Sequence, residues 1–291
     1  MSVTHRRGRR SRALLVLAAA ATVTAAARAE QLPLWEAGGG LSVIRLQDYR
    51  GSEQSRDYVL PVPWFVYRGE VIKADREGLR AKLFDTDRIE LDISVNGSVP
   101  VASDRNRARS GMRDLKPTLE LGPVLNVTLW RQRDASGTLA KLDLRLPVRA
   151  GISYREGRPV DVGFIAQPNL NLDLKLPTQA TVAERWNVGL VLGALAGTRR
   201  NNAYFYEVEP QYATPERPAY RARGGYAGWQ AIVALSRRSG RWWTGGFIKY
   251  ENLGSAVFAD SPLVTARSHV TGGLAVSYVF AESERRVEAE R

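Results

Sequence analysis

Few side chains in this sequence have the chemistry to act on a substrate, and those few stand far apart. The chain has no cysteine, and its only histidines are His5 and His269. That excludes disulfides, thiolate metal sites, histidine-rich metal centres and a lipid on an N-terminal cysteine. A nucleophilic hydrolase would need His269 as base, a serine within hydrogen-bond reach and a third group to orient the ring. His269 shares strand parity with Thr271 and Ser277, opposite Val270, Leu274 and Val276. It is therefore expected in a polar interior, where no sequence feature selects a serine partner. Asp85 and Asp87 flank a turn, while Glu90 and Asp92 share a face at spacing i, i+2. Glycoside cleavage needs two carboxyls about 5–10 Å apart with different pKa values; wet interior charge is the plainer reading of these. No catalytic residue, cofactor or metal site is assigned. The candidate contacts are Asp260-Ser261-Pro262, a rigid turn, and Gly111, Met112 and Asp114, because loops on a rigid scaffold carry binding.

The elements that would position these residues repeat with period two. Ile89-Glu-Leu-Asp-Ile-Ser-Val-Asn96 puts Ile, Leu, Ile and Val on one face and Glu90, Asp92, Ser94 and Asn96 on the other. Leu125 to Leu129, Leu142 to Leu146 and Leu170 to Leu176 repeat the pattern. A helix would scatter these residues, whereas a strand sorts them. Strands of this kind also build soluble sandwiches, so three further features decide. Leu139 to Tyr154 and Val160 to Lys175 exceed the five or six residues of globular strands. Aromatic residues gather near strand ends, as in Trp64 to Tyr67, Trp130, Tyr154, Trp186, Tyr204 to Tyr206 and Trp242-Trp243, the places of membrane girdles. The last strand ends Leu274-Ala-Val-Ser-Tyr-Val-Phe280, with Val276, Tyr278 and Phe280 on one face, a pattern that looks like a barrel insertion signal.

The fold class expected is all-β, a transmembrane antiparallel up-and-down β-barrel of about 12 strands over residues 30–280. Strand starts are expected at Glu36, Tyr58, Glu70, Arg88, Leu115, Leu139, Arg158, Glu184, Asn202, Arg221, Arg241 and Thr265. That count puts the tight turns Arg68-Gly69 and Ser239-Gly240 at the periplasmic end, and the Pro-rich stretches 209–218 and 254–262 outside. It also puts Val99 to Asp114 in the periplasm. Residues 281–291 are expected to be a charged, disordered tail.

Half of the formal charge of +12 sits in six arginines of the first 28 residues. Those residues read as a signal peptide over 1–29: a basic start, an apolar Ala13 to Ala27, and Ala27-Arg28-Ala29 as the small-x-small site. The remaining basic residues are interleaved with acids, so no nucleic-acid footprint appears. Outer-membrane lipid is the expected surrounding. Lys141, Asp143, Arg145, Asp173 and Lys175 are expected in the lumen, lining a narrow pore or pairing to plug it.

Several stretches, in order, resemble the MipA/OmpV family of outer-membrane proteins. They are Gly111-Met-Arg-Asp-Leu115 with Leu119-Glu-Leu-Gly-Pro123, Tyr204-Phe-Tyr-Glu-Val208, and Tyr220-Arg-Ala-Arg-Gly-Gly-Tyr226. Trp242-Trp243 with Tyr250-Glu-Asn-Leu253 and Ala256-Val-Phe-Ala-Asp-Ser-Pro-Leu263 complete the set. Glu207 stands where the family tends to have Gly, and the chain continues past Phe280. The resemblance implies a non-enzymatic envelope scaffold that links a periplasmic lytic transglycosylase and a murein synthase to the outer membrane. It implies no catalytic residues or cofactor. A small-solute channel is the alternative reading, and a barrel hydrolase built on His269 a distant third.

Overall fold

Alternating side chains commit most of this chain to strands, and turns set their pairing. The computed structural model describes residues 31–68, 72–75, 78–81, 84–86, 88–133, 138–176 and 186–288. The leader, its cleavage site, Gly69, Glu70, Asp87 and Glu184 lie outside the described residues, as does the side chain of Asp85. β1 (Gln31–Pro33) and β2 (Trp35–Gln47) lead into β3 (Ser55–Arg68), then the short β4 (Ile72–Asp75), β5 (Gly78–Ala81) and β6 (Phe84–Asp85). Next come β7 (Ile89–Ser98), β8 (Thr118–Arg133), β9 (Leu139–Arg155), β10 (Arg158–Ala166), β11 (Asn169–Leu176) and β12 (Trp186–Gly197). A helix, α1 (Arg199–Tyr206), precedes β13 (Gly225–Ser239), β14 (Trp242–Asn252), β15 (Ser268–Glu282) and β16 (Arg286–Glu288).

One antiparallel sheet runs from β5 through β4, β3, β2, β15, β14, β13, β12, β10, β9, β8 and β7 to β6. The last long strand pairs with the first, from Gly272↔Arg45 to Glu282↔Glu36. This seam is tight: a Cβ on Gly40 would stand 1.9 Å from the carbonyl oxygen of Val276. At the other limit of the sheet β5 runs alongside β7. The sheet therefore curls until its ends face each other, with no hydrogen-bonded ladder between them among the described residues.

Burial is inside-out for a water-soluble protein. Leu41, Val59, Leu119, Leu192, Ile248, Val270 and Leu274 face outward and are more than half exposed. Glu36, Asp92, Asp143, Asn171, Gln230, Glu251 and Ser277 face inward and are buried. Apolar side chains cost free energy in water and none in hydrocarbon, so this arrangement suits a strand wall bathed in lipid. The outward aromatics form two levels. Phe65, Trp130, Trp186, Trp242, Tyr278 and Phe280 ring the end with short turns, and Tyr154, Tyr226 and Trp229 ring the end with long loops. Trp64 and Trp243 depart from the girdle expectation, because they point inward and pack against each other at 5.5 Å.

Several expectations need correction. The strand expected from Asn202 is instead α1, started by Thr198, whose side chain accepts from the Asn201 amide. The single strand expected after Arg68 is instead two, β4 and β5, running in opposite directions. The missed strand shifts parity for everything that follows. Hence 99–114 lies at the loop end beside 48–54, not at the turn end with β1 and β16, and the spurious strand at 202 restores parity afterwards. The long strand expected over Val160 to Lys175 breaks at Gln167-Pro168, since proline has no amide to give to a ladder; β10 and β11 continue along the same neighbour, β9. The tail is ordered through Glu288: β15 runs to Glu282, and β16 pairs with β1 from Gln31↔Glu288 to Pro33↔Arg286. Residues 289–291 lie outside the described residues.

Candidate functional site

Four connections at the loop end, 48–54, 99–117, 198–224 and 253–267, fold over the sheet as a cap with its own apolar core. Tyr49, Val101, Leu115, Tyr206, Val208, Leu253, Phe258 and Leu263 are buried together there. Phe258 is fully buried and stacks on Tyr206 with ring centroids 3.7 Å apart. The last turn of α1 points Tyr204, Phe205 and Tyr206 at different neighbours from one short segment. The Tyr204 hydroxyl donates to the Lys116 carbonyl at 2.7 Å, and the Tyr206 hydroxyl to the Arg50 carbonyl at 2.9 Å. Gly163 makes room for the helix start: its φ of 88° is left-handed, and a Cβ there would lie 2.4 Å from Thr198 Oγ1.

Polar latches join the cap segments to one another. Asn106 Nδ2 donates to Asp48 Oδ2 at 2.8 Å and to Ser52 Oγ at 3.1 Å. Arg107 pairs with Glu53 at 2.5 Å, and Arg217 Nη1 donates to the carbonyls of Ala108 and Ser110. Arg109 is buried over the Tyr49 ring at 5.7 Å and donates to the carbonyls of Phe205 and Arg113. Burial holds its guanidinium below its ordinary pKa, while carbonyl dipoles and a ring face supply the stabilisation water would give. The Tyr49 hydroxyl donates to the Leu263 carbonyl at 2.8 Å, and burial raises its pKa to about 12.

The candidate contact residues belong to this cap. Ser261 is buried and its Oγ donates to the Tyr206 carbonyl at 2.8 Å. Asp260 is exposed and accepts from the Tyr220 hydroxyl at 2.9 Å, and Pro262 is half-buried beside it. Met112 packs on the cap core, Gly111 turns with φ 78° at the surface, and Asp114 accepts from the Ser103 amide at 2.9 Å. Asp114 and Asp260 thus each fasten one cap segment. Val276, Tyr278 and Phe280 face outward on β15 at the other end of the molecule.

Beneath the cap lies a chamber of about 590 Å³ within the curled sheet. Its charges are organised in pairs. Arg149 meets Glu120 at 3.2 Å and reaches Gln167 at 2.6 Å. Glu251 is shared by Arg50 at 2.8 Å and Lys249 at 3.1 Å. Further toward the turn end, Lys141 meets Asp143 at 2.8 Å, and Asp173 and Lys175 continue the polar side of β11 opposite them. Arg145 lines the chamber. Arg238 holds the fully buried Glu36 at 2.8 Å beside the Trp64–Trp243 cluster. The interior is thus roofed at one end and crossed by ion pairs and aromatic rings at the other.

The catalytic readings fare differently. Ser55 Oγ and His269 Nε2 are 3.2 Å apart, so the fold selects a serine that the sequence could not. Glu251 faces His269 across the ladder, but Arg50 and Lys249 hold its carboxylate. No hydrogen bond orients His269 Nδ1 among the described residues, and the relay is incomplete. Asp92 is fully buried and accepts from Asn126 Nδ2 at 2.9 Å, not wet as expected.

Residues 39–280 match the sequence model of the family described as MltA-interacting protein MipA. The chain belongs to that family. Outer membrane protein OmpV of Vibrio cholerae serotype O1 is similar to it, 26% identical over 223 residues that cover 74% of this chain and 76% of that protein. These matches and the inside-out sheet describe one object, an outer-membrane protein of the MipA/OmpV type. The stretches that carry the resemblance to the MipA family build mostly the cap: Leu115, Tyr206, Val208, Leu253, Phe258 and Leu263 all belong to its core. Glu207, the departure among them, accepts from Arg199 and from the Ala222 amide.

Proposed function

We propose that this protein is a non-enzymatic, non-conducting scaffold of the outer membrane. Its turn end faces the periplasm and holds a lytic transglycosylase together with a murein synthase. The description of the family as MltA-interacting is the observation that carries the partner class. Two features support the geometry. Bacterial barrels keep their short turns in the periplasm and their long loops outside, and here β1 and β16 pair beyond the turn-end aromatics. The packed cap and the interior ion pairs speak against steady conduction. A periplasmic enzyme would then meet the turn end and its β1–β16 ribbon, and the 99–114 loop would lie out of its reach.

The test is capture from periplasmic extract by the refolded barrel, beside a variant ending at Ser283 and a variant lacking 103–113. Recovery of a lytic transglycosylase by the intact protein and the 103–113 deletion supports the scaffold. Recovery of no murein enzyme by any of the three rejects the partner class.

A further inference from the structure

The chamber under the cap carries polar groups that scaffolding does not use. Gln230 on β13, Thr271 on β15 and Asn201 on α1 are each about 95% buried and line it. None of these three side chains hydrogen-bonds another described residue, and none has a polar atom among those sealed from the chamber, so their amide and hydroxyl groups open on it. An amide or hydroxyl that faces a cavity takes its partners from whatever fills it, water or solute. Register places Gln230 opposite Glu251, and Thr271 opposite Lys249 two residues away. Gln230 and Thr271 therefore flank one ion pair on a continuous patch of wall, with Asn201 above them in the roof.

We propose that the chamber is a binding site for a small, neutral, polyhydroxylated solute of mono- or disaccharide size. Its volume falls in the range of ligand cavities, about 300–1,000 Å³. Gln230, Asn201 and Thr271 each offer a donor and an acceptor, and a sugar hydroxyl answers both at once. The chamber lining carries four acidic and four basic side chains, among them Arg149 paired with Glu120 and Glu251 held by Arg50 and Lys249. A charged solute would enter without a counter-charge and lose its hydration, whereas a neutral one leaves the pairs intact. Phe205, half-buried in the roof, is the lining aromatic placed to meet the apolar face of a sugar ring, while the Tyr206 ring is stacked on Phe258.

The experiment titrates the full-length refolded barrel in micelles with glucose and sucrose, and with glucosamine and glucose 6-phosphate as charged counterparts. Binding is read by calorimetry and by saturation transfer from protein to sugar protons. Saturable binding of a neutral sugar is expected, with both charged analogues weaker. Gln230→Leu and Thr271→Val should each weaken binding by up to about tenfold, the loss of one neutral hydrogen bond. Retained heat-dependent gel migration shows that each variant still folds. If Gln230→Leu fails to insert, the near-isosteric Thr271→Val decides alone. Silence from both neutral sugars would mean the chamber holds water only and overturns the proposal. So would charged analogues that bind as well, or folded variants that bind as tightly as the parent.

Discussion

At the scale of single residues, the direction a side chain faces decides what it is worth. Leu274 is 72% exposed near the middle of β15. In lipid, Leu274→Arg should cost about 2–4 kcal/mol, the range for a cation at the midplane of a barrel wall. Denaturant titration of the protein folded into vesicles measures this, and a cost near zero would contradict the lipid-facing assignment. In the cap, Tyr49 sets a pH limit. Its pKa is raised to about 12 by burial, above the ordinary 10 of an unfolded chain. The unfolded form therefore loses its proton first, and the stabilisation present below pH about 10 fades as pH climbs toward about 12. Near-UV circular dichroism should show the cap loosening across that window, and Tyr49→Phe should shrink the change. His269 illustrates how far residue-level reading goes. Its inward parity was legible from Thr271 and Ser277, but its contact with Ser55 was not, because 214 positions separate the two along the chain.

At the scale of elements, period-two alternation identified β7, β8, β9, β11 and β15, because each has one face in lipid and one in a polar interior. It failed where a strand is too short to show a period, as at β4 and β5, and where an aromatic run serves another element. Tyr204-Phe205-Tyr206 looks like a girdle in sequence but forms the last turn of a capped helix. The ordered tail was missed for a related reason. A charged segment cannot bury enough apolar surface to fold alone, and its backbone partners are β1, Leu34 and Trp35 at the far end of the chain. Ending the chain at Ser283 removes β16 while leaving the β15–β2 ladder whole to Glu282↔Glu36. The shortened protein should still insert, with amide exchange at Leu32, which shares the bonded side of β1 with Leu34, rising to the unprotected rate. Failure to insert would make the ribbon part of the folding unit.

At the scale of the whole molecule, the cap and the interior ion pairs predict electrical silence. In planar bilayers the intact protein should give no steady conductance steps, whereas deletion of 199–223 removes α1 and much of the roof and should admit fluctuating current. Steady steps from the intact protein would favour the channel reading. The sequence by itself determined the class of object: alternation with apolar residues outward, long strands and an aromatic last strand specify a membrane sheet, since each is a local consequence of a lipid-facing wall. The family, too, was legible in short stretches. Only the tertiary structure decided which end carries 99–114, that four loops share one core, and that Ser55 meets His269. It also decided that Glu120 finds its cation on the neighbouring strand and Glu251 one of its two in the cap. Those outcomes depend on strand parity summed over the chain and on contacts between distant segments, and neither is encoded in any one window of residues.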